Sequence, residues 1–393
     1  MISAATGAAE RELELDQLGA QAPIRSRPPR RLVGSPAALR PALELFAFAI
    51  VPLLLTAIAV YGLVGHGFAI DFHGQFWPAG RRLLDGMSPY DLGWQDIPHD
   101  VAFPYNAVAA LLFVPFALLP HALADAVFAG LCVGALALTL RVLGVRDWRV
   151  YGIVLLWQPV VSAWATANLT LLIGLGIALM WRHRDSPVVT GLLLALLVSL
   201  KLFVWPLALW LLATRRYAAL GYALLGGLAM NVVAWLVLGF DQIGPYVKLL
   251  GLVTDREEPR SYTLLAFAVN HGAGRTAAYA LALALAVAAG AACVVLARRG
   301  RERQALLLCI AMALVATPVT WAHYFALLIV PLALLRPRLS PVWALPLVLA
   351  LCPGVAPTSW QLVLALATVA AVVAAGLRAP AVDRPALALQ GAA

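Results

Sequence analysis

Four polar side chains stand inside or directly beside apolar runs of this sequence, where a charge or a proton acceptor is costly: Asp71, Asn168, Lys201 and His323. Asp71 opens the stretch Asp71-Phe72-His73-Gly74-Gln75-Phe76-Trp77-Pro78-Ala79-Gly80, directly after the first long apolar run. The plain reading is a solvated loop carboxylate at a membrane boundary. Its neighbours argue for more. Phe72, Phe76 and Trp77 form an interface-seeking aromatic cluster, and Gly74 and Gly80 permit close approach of the chain. A carboxylate tethered at the lipid surface can act as a general base. Lys201 lies between Leu196-Leu197-Val198-Ser199-Leu200 and Leu202-Phe203-Val204-Trp205-Pro206. It reads either as a snorkelling lysine at a helix end or as a point charge that binds phosphate. His323 sits in Thr317-Pro318-Val319-Thr320-Trp321-Ala322-His323-Tyr324. There the proline breaks the helix, and Trp321 and Tyr324 flank the imidazole.

Further candidates are plainer. Arg260 reads as a second phosphate ligand or as a solvated loop charge, and His271 as a residue at the mouth of a site. Asn168 would hydrogen-bond a substrate hydroxyl or cap the helix after it. Tyr105 and Asn106 open an apolar run and would face a cavity. No metal ligand set and no cofactor motif is read: the four cysteines lie in or at the ends of apolar runs without Cys-x-x-Cys spacing. Walker A, Rossmann, nucleophile-elbow and zinc-protease patterns are absent from the sequence.

The elements that must position these residues are membrane helices. Of 393 residues, 63% are hydrophobic and 12% charged, with a mean hydropathy of +0.88; a soluble domain is about a quarter charged. The net charge of +9 does not point to nucleic acid, because the arginines fall between apolar runs rather than on one basic module. Apolar runs recur near 42–64, 104–119, 121–141, 150–163, 168–181, 187–214, 217–239, 276–297, 304–317, 322–335, 342–352 and 359–377.

Placing every arginine cluster in the cytoplasm gives an all-α polytopic membrane protein of about 12 transmembrane helices, with short or re-entrant helices on the outer face. Residues 1–41 are then a disordered cytoplasmic tail, 42–377 the membrane domain and 378–393 a second cytoplasmic tail. Residues 65–103 and 240–274 lie outside, and the run 104–119 does not cross. The runs 150–163 and 168–181 form a hairpin with its tip at 164–168, and 187–214 breaks at Ser199-Leu200-Lys201. Short helices at membrane depth are stable only beside other protein or a cavity, so these tips predict an outer depression.

Asp71, then Phe76-Trp77-Pro78-Ala79-Gly80-Arg81-Arg82, Phe103-Pro104-Tyr105-Asn106, the hairpin ending at Asn168, the lysine before Leu202-Phe203-Val204-Trp205-Pro206, and Thr317-Pro318-Val319-Thr320-Trp321-Ala322-His323-Tyr324 together resemble glycosyltransferase family 87 over roughly residues 45–340. That resemblance implies the GT-C fold of polyprenyl-phosphate-sugar-dependent glycosyltransferases, whose best-known members are mannosyltransferases. It implies Asp71 as catalytic base, maps the family's late-motif histidine onto His323 as a second catalytic residue, and maps the family's middle-helix lysine onto Lys201, which would hold the donor phosphate beside the candidate Arg260. Asn168, Tyr105, Asn106, Trp321 and Tyr324 would bind substrate. The chain departs from the family at Ala165-Thr166-Ala167-Asn168, where Gly-Gln-x-Asn is common, and at Thr317, where serine is common.

The implied reaction is inverting transfer of a sugar, mannose first among the candidates, from a polyprenyl-phosphate donor to a hydroxyl of a cell-envelope lipid or glycan. It would occur at the periplasmic face of a bacterial inner membrane, without nucleic acid as a partner. The alternative is a lipid or sugar transporter or flippase, for which broken helices are equally suited.

Overall fold

The computed structural model describes residues 36–63, 67–90 and 102–379. Most of both expected tails and residues 91–101 of the outer stretch lie outside the described residues. Among the described residues all regular structure is helical. The chain divides into two units, up to Leu45 and from Phe46 onward. The described part of the first is helix α1 (Pro36–Leu45), so residues 36–41, read as tail, are helical.

The second unit begins with a π-helical stretch (Phe46–Ile50) that runs into α2 (Val51–Leu63), followed by a π-helical turn (Phe72–Phe76) and α3 (Trp77–Leu84). Next come α4 (Ala107–Ala117), α5 (His121–Val142), α6 (Trp148–Leu155), α7 (Gln158–Ala165) and α8 (Thr170–Arg182). These are followed by α9 (Pro187–Leu200), α10 (Leu207–Ala213), α11 (Tyr217–Leu238), α12 (Ile243–Glu257) and α13 (Leu264–Asn270). The unit closes with α14 (Arg275–Arg298), α15 (Glu302–Val315), a 3₁₀ segment (Ala322–Leu328) continuing into α16 (Ile329–Leu335), a second 3₁₀ segment (Pro341–Leu351) and α17 (Ser359–Leu377).

Among the described residues, five stretches are long and apolar enough to cross a membrane alone: Leu39–Ala59, His121–Val142, Tyr217–Leu238, Arg275–Arg298 and Ser359–Leu377. The bent pair α7–α8 makes a sixth if counted as one span. Length and composition therefore give five or six candidate spans among the described residues and do not by themselves confirm about twelve crossings. The outer surfaces of α11 and α14 suit lipid. Leu224, Leu225, Leu228 and Val237 on α11, and Leu283 and Val287 on α14, are each about two-thirds exposed, and so much bare apolar surface is stable only in a bilayer.

The other elements are short for reasons visible in the sequence. Helix α4 has 11 residues, about 16 Å against a hydrocarbon core of about 30 Å. Asn106 caps its start through Val108 N at 3.1 Å. Helix α9 stops at Lys201, which is extended (φ −148°, ψ 106°). Pro206 explains the stop, since continuing the helix would set its ring against the Leu202 carbonyl and leave that carbonyl without a donor. The expected break at 199–201 is therefore present, one residue wide. Helix α9 lies close along α11 at Gly191, where a Cβ would come within 2.4 Å of the Ala219 carbonyl oxygen.

Two expectations need correction. The aromatic cluster after Asp71 is not interface-seeking: Phe72 and Phe76 are fully buried. Phe72 stacks on Phe128 of α5 at 4.6 Å, and Phe76 stacks on Phe113 of α4 at 4.4 Å. Burying two rings in a ready-made aromatic core outweighs a place at the headgroups. Nor is 240–274 simply an outer polar stretch. It contains α12 and α13, because Tyr246, Leu250 and Val253 repeat at helical spacing and bury a face.

The turn that begins at Asp71 is thus nailed down by the rings behind it, and α3 must lie tight against α4. A Cβ at Gly80 would sit 2.6 Å from the Phe113 carbonyl oxygen, a backbone atom that cannot swing away. Gly80→Val is expected to destabilise the protein by about 1–3 kcal/mol, the usual range for overpacking. Thermal unfolding in detergent measures it, and an unchanged Tm would show that α3 and α4 separate freely.

Candidate functional site

The site is built on the tip between α7 and α8, two helices bent by 111°. Pro159 at the start of α7 suits a first helical turn. The turn itself holds Ala167 in the left-handed region at φ 51°, which costs a non-glycine residue about 1–2 kcal/mol. Asn168 fixes it. Its Oδ1 accepts from Thr170 N at 3.0 Å and from Thr170 Oγ1 at 2.8 Å. The turn that leads into the π-helical turn lies against this tip through backbone bonds, Ala69 N to Ala165 O at 2.7 Å and Asp71 N to Thr166 O at 3.0 Å.

Asn168 then does two more things. Its Nδ2 donates to Asp71 Oδ2 at 2.5 Å. Its Oδ1 accepts from Lys201 Nζ at 3.0 Å. Asn168 is wholly buried and Lys201 is 6% exposed, so the lysine is not snorkelling. One amide therefore links an acid and a base that arrive from residues far apart in sequence. The ammonium also sits 4.0 Å above the Tyr324 ring, a contact worth about 2 kcal/mol when desolvated. Tyr324 in turn stacks on Phe203 at 4.5 Å.

Lys201 opens onto a cavity of about 190 Å³. Of the residues expected at the site, Tyr105, Asn106, Lys201, Trp321 and Tyr324 line it. Asp71 and Asn168 are not among the lining residues; they connect to the cavity through Lys201. His323 is 5% exposed and lies beside the lining, its ring 4.8 Å from that of Tyr324. Both His323 Nε2 and Trp321 Nε1 are buried without a hydrogen-bond partner among the described residues, two polar atoms ready for a ligand. The segment that carries them is held by Tyr262 N to Thr320 O at 2.8 Å and by Ala322 N to Gly354 O at 3.2 Å.

Arg260 is not brought to the cavity. Its Nη1 donates to Glu257 Oε1 at 3.1 Å, and that carboxylate also takes Arg256. His271 is likewise outside the lining, bonded to the Phe267 carbonyl at 2.8 Å. Conversely, Tyr246, Leu250, Val253 and Thr254 of α12 form one wall of the cavity. Their i, i+4, i+7, i+8 spacing is the sequence signal for that wall. Ser199 was read only as a break residue; it lines the cavity and accepts from Asn231 Nδ2 of α11 at 2.9 Å.

The family model for glycosyltransferase family 87 matches residues 103–318, over half of the chain. The chain belongs to glycosyltransferase family 87. No curated protein and no solved structure matches it. The matched segment holds Tyr105, Asn106, Asn168, Lys201 and Arg260, while Asp71 and His323 flank it. As a family-87 glycosyltransferase the protein takes a sugar donor and an acceptor at a membrane, and the cavity beside Lys201 is the candidate place for them.

Removing the amide tests whether this cluster is a unit. Asn168→Ala removes the partner shared by Lys201 Nζ and Asp71, and the loss at the buried ammonium alone costs about 1–3 kcal/mol. The variant is expected to unfold at clearly lower temperature than the parent. A parental Tm would mean that Asp71 and Lys201 are held independently of Asn168.

Proposed function

We propose that this protein is an inverting glycosyltransferase that moves a sugar, mannose as first candidate, from a polyprenyl-phosphate donor to a hydroxyl of an envelope lipid or glycan. The observation that carries the reading is the amide of Asn168, which holds the Asp71 carboxylate and the Lys201 ammonium apart yet in register at the edge of one cavity. Transfer from a sugar phosphate needs these two charges. One takes a proton from the attacking hydroxyl, and the other meets negative charge growing on the leaving phosphate.

In this mechanism the acceptor oxygen attacks the anomeric carbon from the face opposite the phosphate. Its proton passes to the Asp71 carboxylate. The bond from anomeric carbon to phosphate oxygen breaks, and the electron pair leaves with the lipid phosphate. Lys201 offsets that charge. The orphan atoms of His323 and Trp321 are available to the phosphate or the sugar, and Tyr105, Asn106 and Tyr324 shape the sugar's seat. No second carboxylate is required as acid, unlike in a glycosidase, because the departing polyprenyl phosphate is a phosphate monoester that leaves as an anion without being protonated. Arg260 would contribute only by giving up Glu257.

The reading sets the cavity on the periplasmic side of a bacterial inner membrane. The short elements would cross in pairs to give about 12 crossings, with residues 1–41 and 378–393 as cytoplasmic tails. The arginine clusters support it, since Arg182, Arg215, Arg298 and Arg336 all end apolar helices on one consistent side of that path. The transporter alternative is not carried further, because no observation favours it and the chain belongs to a glycosyltransferase family.

Asp71→Asn keeps the shape of the side chain and removes the proton acceptor. Transfer of labelled sugar from polyprenyl-phosphate-mannose, measured in membranes, is expected to fall by about 10²–10⁴-fold while donor binding persists. Near-parental turnover would remove Asp71 from the chemistry. For the side of the membrane, a cysteine at Met87 should react with an impermeant maleimide from outside intact cells, and one at Arg299 should not. The reverse pattern would overturn the topology.

A further inference from the structure

A second cluster of chemistry-bearing side chains lies outside the candidate active site. We propose that His73, His121 and Asp125 form a binding site for a divalent transition metal of the zinc class. His121 and Asp125 are four residues apart in the first turns of α5, so they share a face. His73 comes from the π-helical turn that follows Asp71. One ligand-type atom from each of the three lies within 4.8 Å of the other two. His73 Nδ1 meets Asp125 Oδ2 at 2.9 Å, and the two imidazoles lie parallel with ring centres 3.7 Å apart. Trp77 covers the other face of His121 at 4.0 Å, with its Nε1 donating to the Leu119 carbonyl.

Two atoms of this cluster are unexplained by the protein's own hydrogen bonds. His121 Nε2 and Asp125 Oδ1 are buried and lack a hydrogen-bond partner among the described residues. Each such atom costs about 1–3 kcal/mol, and both cost it within one small cluster. A cation would satisfy them together. Two imidazoles and one carboxylate are a borderline donor set that suits Zn²⁺, whereas Mg²⁺ and Ca²⁺ call for mostly oxygen ligands. Three protein ligands leave a fourth position for water.

Tetrahedral bonds of about 2.0–2.1 Å require ligand atoms about 3.4 Å apart, so the stacked rings must open on binding. The His73 side chain is 55% exposed and has the room to turn. The bound ion would tie the turn that begins at Asp71 to the start of α5. This gives the metal a positioning role, and the proposal stands on the cluster itself rather than on the identity of the donor or acceptor.

The test uses the full chain in detergent, with any purification tag removed. The protein is stripped with chelator, reloaded with Zn²⁺, desalted and assayed for metal. About one zinc per chain and a raised Tm are expected. Asp125→Asn and His121→Phe, the latter keeping a ring for Trp77 to stack on, should each lose most of the zinc. Because a variant can fail to fold, Co²⁺ loading of the unaltered protein gives a second reading: a visible band of tetrahedral intensity is expected. No zinc retained by the parent, a cobalt spectrum like that of the free aqueous ion, or folded variants with parental zinc content would each overturn the proposal. None of these readings depends on sugar transfer, so the metal site and the glycosyltransferase mechanism fail separately.

Discussion

Everything at the candidate site depends on how a buried ammonium is kept in a membrane protein. Lys201 has given up nearly all of its water, and an ammonium so placed must find compensation from fixed groups. It finds three kinds: the Asn168 carbonyl oxygen, the face of the Tyr324 ring, and the nearby charge of Asp71 relayed through one amide. Each compensation fixes something else. The amide demands the sharp tip between α7 and α8. The ring demands the 3₁₀ segment at Ala322–Leu328. The position of Lys201 demands the break imposed one turn ahead by Pro206.

The aspartate side of the bridge is anchored by different physics. Phe72 and Phe76 bury their rings among Phe113, Phe116 and Phe128, while the backbone around Asp71 bonds to the hairpin tip. Hydrophobic burial thus sets the depth of the carboxylate, and hydrogen bonds set its direction. Neither would suffice alone, because an aromatic core without the tip leaves the carboxylate free to rotate, and the tip without the core leaves it free to drift toward water.

Much of this was legible in the sequence. Helices α5, α11, α14 and α17 follow the apolar runs to within about two residues, because length and hydropathy alone decide a long membrane helix. Lys201 and Asn168 were legible as polar residues in apolar surroundings. The bridge between them was not, since it depends on which tips meet, and no local pattern encodes that. Arg260 looked like a phosphate ligand because a sequence cannot show that Glu257 folds back onto it. The rings after Asp71 were assigned to the interface because aromatics favour both interface and core, and only the partners on α4 and α5 decide between them. The crossing count is not decided by the sequence for a similar reason: a short apolar run has the same composition whether it crosses as half of a pair or packs as an interior element.

Those short elements have a consequence for biogenesis. A segment such as α4, or the almost wholly buried stretch Ala322–Leu335, is too brief to be recognised and released into lipid by insertion machinery that reads hydrophobic length. It must remain beside its long neighbours until they have entered. The long helices are therefore the ones that commit the chain to the bilayer, and the catalytic interior is assembled afterwards from pieces that have no stable place in lipid by themselves. Damage to a lipid-facing helix should accordingly appear first as failed accumulation of the whole protein rather than as a slower enzyme.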